Sequence, residues 1–210
     1  MSNPRETDTS IRSATIPAKL AEEQSVERDV GVSTFALTSR ETMLDPDGVA
    51  IRSTHKDDGA LLWEIAHEAG GVDLNSPYAY MMQARNFSET CMIAEVYGTP
   101  AGFVTAHRLQ GKPQVLFVWQ IVTLPEFRGM RIAQRMLEAL VDQPSCSGVR
   151  TLEATVTNSN KASEALFSKF AKSRGAELEI SSGFGASDFP DEQRQDAERL
   201  FSIKPIHHVD

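Results

Sequence analysis

The segment Thr151-Leu152-Glu153-Ala154-Thr155-Val156-Thr157 alternates strictly between apolar and polar side chains. In a β-strand successive side chains point to opposite faces, so Leu152, Ala154 and Val156 share one face and Thr151, Glu153, Thr155 and Thr157 the other. A strand covered by helices is ordinarily apolar on both faces. A polar stripe with a carboxylate at its centre therefore indicates a lined cleft in which Glu153 can do acid–base work. The competing arrangement is an edge strand with Glu153 in solvent. The apolar stretch Phe117-Val118-Trp119-Gln120, expected as its neighbour, favours the cleft.

A second chemical signal lies at Arg128-Gly129-Met130-Arg131-Ile132-Ala133. It joins a buried strand over 115–123 to an amphipathic helix expected over 129–142, whose apolar face is Ile132, Ala133, Met136, Leu137, Leu140 and Val141. A Gly- and Arg-rich helix start presents unpaired backbone N–H groups and the positive end of the helix dipole, which suits a phosphate or pyrophosphate. A third polar group, Asp73-Leu74-Asn75-Ser76 with Tyr78, is by itself no more than a helix cap. Trp119 alone is expected in the core. Gln120 points away from Trp119 if their strand is regular.

The elements that must carry these residues follow from periodicity and turn chemistry. Residues 1–46 mix Ser, Thr, Pro and both charges without periodicity, as a disordered N-terminal arm does. Asp45-Pro46-Asp47-Gly48 is a turn that opens a domain over 47–206, and 207–210 is left as a tail. Val49–Arg52 is a short strand. A helix follows Asp57-Asp58, burying Leu61, Leu62, Ile65, Ala66 and Ala69, and Gly70-Gly71 ends it. Pro77 suits the first turn of a second helix through about Arg85. Strands at Cys91–Val96 and Ala101–His107 form a hairpin around Tyr97-Gly98-Thr99-Pro100. After the strand at 149–157, Asn158-Ser159 caps a helix through about Arg174 that buries Ala162, Ala165, Leu166 and Phe170. Two closing strands, 178–180 and 199–203, bracket a long loop. Strands alternating with helices give an α/β fold with a mixed central sheet flanked by helices on both faces.

The chain has 210 residues, 40% of them hydrophobic, enough for one sizeable core. Its formal net charge of −8 disfavours nucleic acid as a partner and suits a cationic substrate. Cys91 and Cys146 are far apart and in no metal spacing, so reduced thiols are expected. The five histidines make no ligand set, and no metal is expected. With no membrane-length apolar run and no secretory leader, the expectation is a soluble cytoplasmic protein without a membrane partner.

Together the motifs are specific. Asp73-Leu74-Asn75-Ser76-x-Tyr78-x-Tyr80, Phe117-Val118-Trp119-Gln120, Arg128-Gly129-x-x-x-Ala133-x-Arg135-Met136, and Leu152-Glu153-Ala154-Thr155-Val156-Thr157-x-x-Asn160-x-Ala162-Ser163-x-x-Leu166-Phe167 occur in this order. The chain thereby resembles, over about 49–204, the diaminobutyrate acetyltransferases of ectoine biosynthesis, within the GCN5-related N-acetyltransferases. The resemblance implies that fold, a homodimer, and transfer of an acetyl group from acetyl-CoA to the γ-amine of L-2,4-diaminobutyrate. It implies Glu153 as the base that takes the ammonium proton. Asp73, Asn75, Ser76, Tyr78, Trp119 and Thr155 would contact the amine substrate. Ile121 and Val122 would offer backbone groups to the pantetheine and thioester where the two central strands splay. Arg128, Gly129, Met130, Arg131, Ile132 and Ala133 would hold the pyrophosphate, and Asn160 the CoA arm. Two departures stand out: Arg131 occupies the position of the loop's central glycine, and Phe167 stands where many relatives carry a proton-donating Tyr. The diaminobutyrate enzymes share that Phe. An acetyltransferase for another small amine, and a catalytically silent acyl-CoA-binding module, are the other readings.

Overall fold

The computed structural model describes residues 45–191 and 196–208. Seven strands build one sheet in the order β1-β2-β3-β4-β5-β7-β6. They are β1 (Val49–Ser53), β2 (Cys91–Val96), β3 (Thr99–Leu109), β4 (Lys112–Thr123), β5 (Thr151–Thr157), β6 (Glu177–Ser182) and β7 (Glu198–Lys204). Every neighbouring pair is antiparallel except β4 and β5, which run parallel. The mixed sheet expected from the sequence is therefore present. Of the expected N-terminal arm, residues 1–44 lie outside the described residues, as do 209 and 210 of the tail.

Helices α1 (Gly59–Ala69) and α2 (Pro77–Asn86) cover one face; α3 (Ile132–Val141) and α4 (Lys161–Ser173) cover the other. On the first face Leu62, Ile65, Tyr80 and Ala84 pack on Ile93, Phe103 and Val122. On the second, Met136, Leu137, Leu140, Phe167 and Phe170 pack on Leu116, Leu152, Ala154, Phe201 and Ile203. Each fully buried large apolar side chain contributes roughly 1.5–3 kcal/mol, so these two layers fix the sheet between the helices.

Four details differ from expectation. The hairpin between β2 and β3 turns on Tyr97 and Gly98 alone, both at positive φ (49° and 80°), as a two-residue turn matched to strand twist requires; Thr99 and Pro100 already belong to β3. Helix α3 starts at Ile132 rather than 129, because Gly129 (φ 90°) and Arg131 (φ 57°) adopt left-handed backbone that no helix can include. Helix α4 is capped by Asn160, whose Oδ1 accepts from Ser163 N at 3.0 Å, and not by Asn158-Ser159. Its buried face is Phe167, Phe170 and Ala171, while Ala162 and Ala165 are exposed. Both stripes have helical spacing; the larger phenylalanines bury more apolar area and take the core side.

The fourth difference is a β-bulge in β4. Thr105 of β3 faces Gln120 and Ala106 faces Val118, which leaves Trp119 without a partner residue. An extra residue resets the alternation of faces. Val122 consequently enters the core under α1 and α2, Ile121 packs toward α3 and α4, and Gln120 turns to the α2 side. The expected opposition of Trp119 and Gln120 holds only for a regular strand and is corrected by the bulge.

Candidate active site

β4 and β5 are paired only from Val115↔Thr151 to Phe117↔Glu153. Beyond that point the register ends and the strands part, as expected, with Glu153 at the apex of the fork. A cleft of about 1560 Å³ opens there, lined among others by Asp73, Asn75, His107, Phe117, Trp119, Gln120, Ile121, Glu153, Thr155 and Asn160. β5 supplies Glu153 and Thr155 because its alternation puts Leu152, Ala154 and Val156 into the core on the other side. The bulge supplies Trp119, which is 53% exposed in the single chain and stands in the cleft wall instead of the core.

Of the residues expected at the amine substrate, Asp73, Asn75, Trp119 and Thr155 line the cleft with Glu153. Ser76 and Tyr78 do not. The Ser76 hydroxyl caps α2, accepting from Ala79 N at 3.3 Å, and the Tyr78 side chain is 69% exposed on the outside of that helix.

The loop expected to hold the pyrophosphate follows the end of β4, and Asn160 follows the end of β5, so both stand at the open end of the fork. Arg128, Gly129 and Arg131 are exposed. The first rung of α3 is Arg135 N to Arg131 O, so the N–H groups of Ile132, Ala133 and Gln134 precede the helix ladder and are available to an anion. Arg131 stands in left-handed backbone, the conformation that explains a glycine at this position in such loops. The side chains of Ile132 and Val122 are in the core, and Met130 packs against it, so these three can serve a ligand only through their backbone. Arg135, just beyond the loop, pairs with both Asp45 and Asp47.

Three lining or supporting residues escaped the sequence reading. His107 pairs across the sheet with Phe117, which pairs with Glu153. Its ring lies 5.7 Å from both Phe87 and Phe117 and 6.0 Å from Trp119, and burial holds its pKa below the ordinary histidine value. Gln120 and Tyr80 link the Asp73 loop to the sheet: Gln120 Nε2 donates to Asp73 O at 2.9 Å, and Tyr80 Oη donates to Gln120 Oε1 at 3.0 Å. The two motifs that contain Tyr80 and Gln120 were visible; the contact between them depends on the bulge, which was not. Phe167 is 2% exposed in the core under α4 and borders the cleft, and its ring has no proton to donate. Burial pushes the Cys91 thiol up to about 12, so it stays protonated and takes no part. No group of metal-ligating side chains occurs among the described residues.

The sequence model of the Acetyltransferase (GNAT) family matches residues 60–171. The L-2,4-diaminobutyric acid acetyltransferase of Halalkalibacterium halodurans is 41% identical over 72% of this chain and 79% of its own length. The enzyme of the same name from Streptomyces avermitilis is 39% identical over 78% of this chain and 92% of its own. The structure of diaminobutyrate acetyltransferase EctA from Paenibacillus lautus, in complex with its substrate L-2,4-diaminobutyric acid and coenzyme A, is similar with a TM-score of 0.72. It is 40% identical to this chain, and the match covers 77% of this chain and 98% of that one.

Proposed function

Since this chain belongs to the Acetyltransferase (GNAT) family, we propose that it moves the acetyl group of acetyl-CoA to the γ-amine of L-2,4-diaminobutyrate, the acetylation step of ectoine biosynthesis. The observation that carries this reading is the 40% identity, over nearly the whole of that chain, to an enzyme whose structure holds diaminobutyrate and coenzyme A.

The residues fit the reaction. An alkyl ammonium with a reference pKa of about 10.4 must lose a proton before it can attack. Glu153, at the apex of the fork, takes that proton directly or through a water. The amine nitrogen then bonds to the acetyl carbon as the carbon–sulfur bond breaks, and the CoA thiolate takes up a proton. Asp73 holds the cationic groups of the substrate by charge-assisted hydrogen bonds, with Asn75 and Thr155 as further polar contacts and Trp119 as the wall. Ser76 supports this loop through its cap, and Tyr78 stands exposed on α2 outside the cleft lining. The backbone of Ile121 and Val122 beyond the last β4–β5 pair meets the pantetheine and thioester. Arg128, Arg131 and the amides from Gly129 to Ala133, Met130 and Ile132 included, hold the pyrophosphate. Asn160 spends its Oδ1 on the α4 cap and offers its amide nitrogen to the CoA arm.

A silent acyl-CoA-binding module has no need of a carboxylate at the fork, so Glu153 argues against it. The protein acts in the cytoplasm, without nucleic acid or membrane as partner, and its product serves osmoprotection; the acidic composition and the two free cysteines are consistent with this. Among the described residues no helix is long and apolar enough to cross a membrane. It works as a homodimer: Leu74, Trp119 and Phe184 are exposed on segments that border the cleft, an apolar rim that a second copy covers.

The test is a panel of small amines supplied with acetyl-CoA, with release of free thiol as the signal. Diaminobutyrate is expected to have the highest kcat/KM. A higher value for a polyamine or another diamino acid would replace it by the other-amine reading.

A further inference from the structure

The loop that carries Asp73 and Asn75 begins at Gly70 and Gly71, both at positive φ (59° and 67°), and ends at the Ser76 cap. Its placement over the cleft depends on groups outside it. Gln120 Nε2 donates to the carbonyl of Asp73 at 2.9 Å. Gln120 Oε1 accepts from Tyr80 Oη at 3.0 Å, and the same phenol oxygen accepts from the Asn75 N–H at 3.3 Å. Tyr80 is 2% exposed, with its ring edge-on to Phe103 at 6.0 Å, so the phenol has little room to turn. One carboxamide and one phenol therefore fasten the backbone at Asp73 and at Asn75 to the rigid sheet. The carboxamide reaches them only because the bulge at Trp119 turns Gln120 to the α2 side.

We propose that Gln120 and Tyr80 are positioning residues that set Asp73 and Asn75 against the amine substrate, which couples the shape of β4 to substrate affinity. This rests on the reading of the cleft as the diaminobutyrate site. The bonds hold the loop and include neither Glu153 nor any residue of the pyrophosphate loop, so their loss acts on amine binding and spares acetyl-CoA. Displacing a binding group by an ångström is enough to forfeit most of its contact.

The experiment compares wild type, Gln120→Leu, Tyr80→Phe, Asp73→Asn and the double variant Gln120→Leu/Asp73→Asn. Gln120→Leu and Tyr80→Phe are each expected to raise KM for diaminobutyrate about tenfold, with kcat changed only a few-fold and acetyl-CoA affinity unchanged. The double variant should lose clearly less than the product of the two single losses, because part of the effect of Gln120 passes through Asp73 and the rest through Asn75. Effects that multiply, or a loss in kcat with KM unchanged, overturn the proposal. Native-state hydrogen exchange of the Asn75 amide supplies a readout independent of turnover. It should quicken about tenfold or more in Gln120→Leu and in Tyr80→Phe while the amides of β3 and β4 hold their rates. An Asn75 amide as protected as in wild type overturns the proposal, whereas failure of wild type to acetylate diaminobutyrate overturns the functional reading and leaves the exchange result to judge the positioning. Tyr80→Phe keeps the buried ring, so the comparison survives if the Leu variant fails to fold.

Discussion

Phe117 and Glu153 form the last paired position between the two parallel central strands, and the sheet divides immediately beyond them. A carboxylate at that apex stands between backbone edges that have lost their strand partner. In the proposed reaction it is the place where an amine on one side meets a thioester laid along the other. Everything else in the site is arranged around this pair: Trp119 from the bulge, Asp73 and Asn75 from the α1–α2 loop, and the helix start beyond β4.

Glu153→Gln keeps shape and hydrogen-bonding capacity but cannot take a proton. The variant is expected to lose about 100- to 10,000-fold in kcat, with acetyl-CoA affinity unchanged by calorimetry. A loss confined to KM would make Glu153 an orienting group and pass the role of base to Asp73 or a water chain.

In the proposed site Arg128 makes a charge-assisted phosphate contact; its side chain is exposed, so Arg128→Ala disturbs no core residue. Acetyl-CoA binding to the free protein should weaken by roughly 1.5–3 kcal/mol, about tenfold to a hundredfold, at an unchanged melting temperature. Unaltered affinity would place the pyrophosphate away from this loop.

Much of this was legible in the sequence for physical reasons. Glu153 announced itself because alternation is the geometry of a strand, and Thr151 to Thr157 keeps it without a break. The core faces of α1 and α3 followed from periodicity alone. What stayed hidden depends on backbone irregularity or distant packing. No glycine or proline marks the bulge at Trp119, so the turn of Gln120 toward Tyr80 could not be read. The left-handed residue before α3 is an arginine, which carries no sign of that conformation. His107 becomes a cleft residue only when β3 and β4 bring Phe117 and Trp119 around it.

Asp45 and Asp47 both pair with Arg135, and Asp45 Oδ1 accepts from Val49 N at 2.9 Å. Deleting residues 1–44 should therefore leave activity and melting temperature close to wild type. Deleting 1–47 should lower the melting temperature by about 2–4 °C, as removal of roughly 1 kcal/mol does in a domain of this size. Thermal unfolding of the two truncations side by side decides it; equal midpoints would leave the Arg135 pairs without a stabilising role.

Burial lowers the pKa of His107 from the ordinary 6.5, so the fold prefers the neutral ring. In this window the unfolded chain binds the proton first, so stability is full above pH 6.5 and declines as pH falls below it. His107→Gln should flatten that decline below pH 6.5 in melting temperatures taken across the acid range. An unchanged slope would assign the acid sensitivity to other groups.

The central claim is tested most directly by the position of the acetyl group in the product. Purified protein, acetyl-CoA and L-2,4-diaminobutyrate are incubated, and the product is examined by mass spectrometry and NMR. The account predicts a single acetylation on the γ-nitrogen, with one free thiol released per product. No turnover, or transfer to the α-nitrogen alone, would contradict it.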